Sequence, residues 1–311
     1  MSNIVHSPAV ARGDDHSDAA DAEAALAAWR YCGPEGYEPY LAHPACGSQA
    51  RQTFNGWKLV SGRGHAVEAS LQDLTRWVAA EKAIVLAAQP EGLTAATLAR
   101  LMRRLKLASR GRARATLAYL QFLRLIEPVR GSEAGSEQRY QPTAALEAYI
   151  NRCFRRDLEA LAPIEPLAGQ VLDQWDAPGV FERFMAAGEA LTLAAVYYKP
   201  EQALSLDVFT QRNAGVVLVG QILLTDDPGD VFPPRGPIRL NVLDLARRSG
   251  APRHQVNHLV KLGRQAGFLV PQPDGTTAFG LDFPDRVARM VAMYWRCLAW
   301  RAAAALTPGS H

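Results

Sequence analysis

The chain repeats itself. Shifting its first half by 143 positions lays Ala113, Leu117, Leu120, Leu125 and Ile126 on Val256, Val260, Gly263, Phe268 and Leu269. In both places a helical apolar stripe runs into a short apolar segment. A polar turn, a return segment, a Pro (Pro142, Pro284) and a long helical pattern follow. A repeat this long is a duplicated domain, not a stack of short units. The copies differ in detail: the first holds about one extra helical turn before its corner, and Arg124 stands where the second has Gly267.

The second copy is the clearer one. In IRLNVLDLARRSGAPRHQVNHLVKLGRQAGFLV, from Ile238 to Val270, Leu240, Leu243 and Ala246 recur at helical spacing. Ser249-Gly250 breaks that helix, since Gly tolerates a sharp corner. Pro252 suits the first turn of the next, where its missing N–H costs nothing. Val256, Leu259 and Val260 make an apolar stripe, and Arg253, His254, Gln255, Asn257, His258, Lys261 and Arg264 fall largely on the other faces. Gly267 ends the helix, Phe268-Leu269-Val270 starts a strand, Asp274-Gly275 signals a hairpin turn, and Thr276–Gly280 returns. Helix, turn, helix, hairpin is the order of a winged helix-turn-helix, whose second helix enters the major groove. The amide, imidazole and cationic side chains suit base edges and phosphates.

In the first copy, helical patterns cover Glu68–Gln89, then a stretch capped by Thr94 and running through Leu105, then Ala113 to Leu123. Leu125–Val129 and Arg139–Gln141 read as the hairpin, and a long helix runs from Pro142-Thr143 to about Leu161. Further helices are expected at Ile164–Asp176, Val180–Tyr198, Leu206–Leu224 and Asp285–Leu306. Residues 1 to about 20 are polar and expected to be disordered; Ala22–Trp29 reads as a short helix, and Tyr31–His65 as an irregular but packed extension rich in aromatics. The fold class is mainly α: tandem winged helix-turn-helix units with small β-hairpin wings and long connecting helices, a pseudo-dimer. The divisions are 1–67 (extension), 68–162 (first unit with its long helix), 163–205 (connecting helices) and 206–306 (second unit with the C-terminal helix).

A net charge of only +3 over 311 residues means that any nucleic-acid affinity must come from local patches. Four scattered Cys make no disulfide framework, and Cys32, His43 and Cys46 match no common zinc spacing. No secretory leader or membrane span is evident, so a cytoplasmic protein is expected. Nucleophile, zinc-helix and phosphate-loop motifs are lacking, so the expectation is no enzyme, no cofactor and no metal.

The second copy resembles winged helix-turn-helix transcriptional regulators. Helices flanking the reader at both ends make the multiple-antibiotic-resistance-regulator (MarR-like) type the nearest comparison. The resemblance covers residues 68–162 and 180–306 in pattern and is specific over 238–280. It implies double-stranded DNA as partner, with two readers in one chain aimed at successive major grooves about 34 Å apart. Two copies in one chain make a monomeric pseudo-dimer sufficient without forbidding a homodimer. The implied DNA-facing residues are Arg110, Arg112, Arg114, Arg130 and Arg139 in the first copy, and Arg253, His254, Gln255, Asn257, His258 and Lys261 in the second. The resemblance also implies a small-molecule effector pocket between the readers and the long helices, for which Trp175, Tyr197, Tyr198 and Trp295 are candidates; Phe181, Phe184 and Tyr294 are further aromatics there. Two other readings stay open: a replication-initiator-like DNA-binding protein and a winged-helix scaffold that binds protein.

Overall fold

The computed structural model describes residues 17–57, 74–130, 137–197, 206–210, 212, 214–224, 232–280 and 282–307. They form a mainly helical protein with two small antiparallel hairpins. Among them no helix is long and apolar enough to cross a membrane. The expected disorder of the first 20 residues falls on residues 1–16, outside the described residues; Ser17–Ala20 are already helical.

The N-terminal segment is helical rather than irregular: α1 (Ser17–Cys32), a 3-10 turn (Pro34–Gly36), α2 (Glu38–Leu41) and α3 (Cys46–Gly56). Its aromatics act as anchors, as Tyr40 and Phe54 are buried and Phe54 meets Trp57 edge to face at 5.1 Å. Gly and Pro here separate short helices instead of preventing them. Cys32 and Cys46 are free, buried thiols.

The first copy comprises α4 (Leu74–Ala88), α5 (Ala95–Arg104), α6 (Arg110–Phe122), β1 (Ile126–Pro128), β2 (Tyr140–Pro142) and the long α7 (Ala144–Leu161). Thr94 and Thr97 close a capping box at the start of α5, each side chain taking the other's backbone N–H. Two helices, α8 (Pro166–Asp173) and α9 (Val180–Tyr197), connect the copies. The second copy comprises α10 (Asp207–Thr210), α11 (Gly215–Leu223), α12 (Val242–Ser249), α13 (Arg253–Gln265), β3 (Leu269–Pro271), β4 (Thr277–Phe279) and the long α14 (Phe283–Leu306). The single helix expected over Leu206–Leu224 is thus two, broken where Ala214 takes a left-handed conformation with φ 56°.

The two segments match in the spacing of their elements. Helices α6 and α13 have 13 residues each and lie 143 positions apart, as do Ile126 and Leu269 at the start of β1 and β3. In each copy a residue just ahead of α5 or α12 adds a third strand position to the hairpin, Leu93 bridging Tyr140 and Ile238 bridging Thr277. Those partners also face Pro128 and Pro271, which are equivalent. Both 13-residue helices end in the same reversal. Leu125 N–H reaches Leu120 C=O and Phe268 N–H reaches Gly263 C=O, each at 2.9 Å, across a left-handed residue, Arg124 (φ 57°) or Gly267 (φ 76°). The first copy's extra length is not one turn before the corner: α5 has 10 residues against 8 in α12, and the remainder lies in the connection.

One core runs through both copies, α2 and α3, while Ala25 and Ala28 of α1 form a smaller cluster with Leu193 and Ala194 of α9. Helix α1 packs on α9 and α14, α3 on α7 and α11, and α8 on α7 and α14. The divisions at 67, 162 and 205 therefore separate repeats in sequence that share one hydrophobic interior.

Candidate nucleic-acid interface

Burial decides which side of each 13-residue helix faces out. On α6 the buried residues are Ala113, Thr116, Leu117 and Leu120, which meet α5; on α13 they are Val256, Leu259, Val260 and Gly263. The remaining faces carry the expected residues. Arg110, Arg112 and Arg114 are exposed on α6, and Arg253, His254, Asn257, His258 and Lys261 on α13; Gln255 is half-buried. Ser109 caps α6 by accepting the Arg112 N–H at 3.3 Å. The N-terminal end, where backbone donors and the helix dipole favour an anion, therefore carries three arginines.

Charge is left over on both faces. Among the described residues no carboxylate pairs with Arg110, Arg114, Arg253 or Lys261, and Arg103 at the end of α5 is equally free. Arg100 is engaged with Glu91 at 2.6 Å and Arg248 with Asp244 at 2.8 Å. Exposed cations that find no internal partner remain available to an external anion.

The hairpins differ. Arg130 is exposed at the edge of residues 131–136, which lie outside the described residues. Arg139 is partly committed, as its guanidinium donates to Pro90 C=O at 3.1 Å and ties the hairpin to the α4–α5 connection. In the second hairpin Asp274 accepts the Thr276 hydroxyl at 2.6 Å and its N–H at 3.0 Å. Those bonds lower its carboxyl pKa, so the turn presents a negative charge.

The stripe expected from Leu240, Leu243 and Ala246 is corrected. Helix α12 starts at Val242, capped by Asn241, so Leu240 precedes it. The side facing inward is then Val242, Leu245, Ala246 and Ser249, and Leu243 is 55% exposed.

The aromatic pocket candidates are placed otherwise than as a group. Trp295 is completely buried, its indole N–H on the Thr53 hydroxyl at 3.2 Å. Trp175 is buried against Phe181 and Phe184 and donates to Asn151 at 3.0 Å. Both satisfy the polar edge that a buried indole carries and serve as core. Tyr197 closes α9, with its side chain outside the described residues, as is all of Tyr198. Tyr294, by contrast, faces a cavity and donates to Asp157.

The polar wall of that cavity, with Glu81, Lys82, Asp157 and Arg301, was missed by sequence reasoning. The available signal was a charged pair inside the apolar run Trp77–Ala88 and an arginine inside the alanine-rich end of α14. Comparison with protein-family models, curated proteins and solved structures finds no match to this chain.

Proposed function

We propose that the chain is a DNA-binding regulator that reads duplex DNA through α6 and α13, each the second helix of a winged helix-turn-helix unit. One observation carries the reading. Two helices of equal length, at matching places in two similar segments, both turn outward a face of cations and amides, on which Arg110, Arg114, Arg253 and Lys261 have no acidic partner among the described residues. A face of that composition matches phosphates and base edges. The two faces divide the work. Arg110, Arg112 and Arg114 supply electrostatic affinity, while Gln255 and Asn257, with His254 and His258, supply discrimination between bases.

The test is fluorescence anisotropy on random-sequence duplexes at low and moderate salt, followed by selection of bound duplexes from a random pool. Salt-dependent binding and an enriched consensus support the reading. Replacing Gln255 and Asn257 by Ala relaxes the consensus on the second half of the site. The spacing and orientation of the selected half-sites separates a regulator on an inverted pair from an initiator on direct repeats.

The second reading, a protein-binding scaffold, is favoured by two exposed apolar side chains. Phe122, at the end of α6, is 79% exposed, and Leu243 on α12 is 55% exposed. An absence of duplex affinity at low salt would transfer the proposal to that reading.

A further inference from the structure

A cavity of about 520 Å³ lies among α4, α7, α9, α11 and α14, within the size range of small-molecule sites. Its walls are mainly apolar, with Trp57, Trp77, Val78, Leu191, Val217 and Leu298 among them. Set into them is an unbalanced group of buried charges. Arg301 donates through Nη2 to Glu81 Oε1 at 2.6 Å. Lys82 Nζ lies 3.5 Å from the same oxygen and donates to Gly188 C=O at 3.2 Å. Burial would raise the Glu81 pKa, but Arg301 and Lys82 hold it down at about 2, so the carboxylate is ionised. Two buried cations thus share one buried carboxylate, with Glu189 acting on Lys82 from further away.

The surplus has an address. Arg301 is only 8% exposed, and its Nη1 is buried without a hydrogen-bond partner among the described residues. The guanidinium is placed deliberately. It stacks over Phe154 at 4.9 Å and Phe184 at 5.6 Å, and a side chain at Gly188 would come within 2.5 Å of its Cζ. The neighbouring Arg156–Asp157 pair, at 3.8 Å, adds no net charge while Asp157 is ionised, although Arg156 Nε and Asp157 Oδ1 also lack hydrogen-bond partners among the described residues. A buried cation short of an anion and of an acceptor costs several kcal/mol, and a bound carboxylate removes both deficits.

We propose that this cavity binds one small, flat or extended apolar molecule carrying a single carboxylate, with the carboxylate on Arg301 Nη1 and the apolar body between Trp77, Leu191 and Val217. The site needs no DNA, so it stands or falls independently of the proposed function.

The experiment is calorimetric titration of the full chain with 2-naphthoate and with decanoate, beside the uncharged 2-naphthamide and decanamide. One of the two acids is expected to bind once per chain with a Kd of about 100 μM or tighter, and its amide at least about tenfold more weakly. Val217→Phe, which fills the cavity without touching its charges, is expected to abolish binding while thermal unfolding stays cooperative. Leu191→Trp, on another wall, serves the same purpose if Val217→Phe does not fold. Failure of both acids to bind at about 1 mM overturns the proposal. So does binding that survives the filled cavity, or an amide that binds as well as its acid.

Discussion

The two copies solve one packing problem with different residues. Near the end of α6 the first copy buries Leu120 completely. At the equivalent place on α13 the second has Gly263, and the space is taken by Phe209 from α10; a Cβ on Gly263 would stand 2.8 Å from the Phe209 ring. In the first copy the one helix α4 supports α5 and α6, whereas in the second that support is divided, α11 meeting α12 and α10 meeting α13. A duplicated backbone therefore does not require duplicated core residues. It requires that the same volume be filled, from whichever element can reach it.

The largest expected effect breaks this exchange. Leu120→Ala leaves a cavity that nothing in the first copy can fill and should cost about 2–5 kcal/mol of unfolding free energy. Gly263→Leu, which makes the second copy's helix like the first's, should also destabilise, by about 1–3 kcal/mol, because Phe209 already occupies the site. Urea titrations of both variants check this. A neutral Gly263→Leu would mean that the copies are interchangeable after all.

The next effect probes the joint between the two long helices. Tyr294 of α14 and Trp57 both donate to Asp157 of α7. Burial pushes the Asp157 carboxyl up to about 6, against the opposing pull of Arg156 and these hydrogen bonds. A raised pKa means that the native state holds the proton more tightly than the unfolded chain. The stabilising contribution is complete below about pH 4 and lost as pH rises through 6. Asp157→Asn keeps an acceptor for both donors and removes that loss, so its unfolding free energy relative to wild type should grow between pH 4 and 7, by roughly 2–3 kcal/mol, read from urea titrations at each pH. A difference independent of pH would show that Asp157 is ionised throughout. As pH falls from about 4.5 to 2 both proteins weaken together, because the unfolded chain protonates Glu81 while the native state still holds it ionised.

A third test sharpens the contrast between the reading faces. Arg110→Ala with Arg114→Ala should lower the slope of log affinity against log salt by nearly 2 and weaken binding to all duplexes alike. Unchanged slopes would remove α6 from the phosphate contacts. The smallest effect concerns the turn that ends each 13-residue helix. Arg124 pays for a left-handed conformation that Gly267 adopts freely. Arg124→Gly should raise stability by about 0.5–1 kcal/mol and Gly267→Ala lower it by about 1, read as opposite shifts in Tm.

Much of the architecture is legible in the residues. Helix existence, the two hairpins and the outward faces of α6 and α13 follow from apolar periodicity and from caps such as Thr94 and Ser109, because these are local properties. The exposed Arg110, Arg114, Asn257 and His258 could be named in advance for the same reason. Elsewhere the local signal misled. The apolar run Leu206–Leu224 reads as one helix, yet Ala214 turns it so that Phe209 can enter the second copy's core. Leu243 has helical spacing to its neighbours but lies on the solvent side, since the Asn241 cap starts the helix after Leu240.

By itself the sequence determined that this chain is mainly helical, with two small hairpins and two polar, largely cationic helix faces, because period, capping and turn chemistry act within a few residues. Only the tertiary structure decided that both copies share one core with α2 and α3, and that Glu81 meets Arg301 across 220 residues to leave one guanidinium nitrogen unmatched, among the described residues, in an apolar cavity. Contacts at that separation depend on where whole helices come to rest, and no spacing along the chain encodes them.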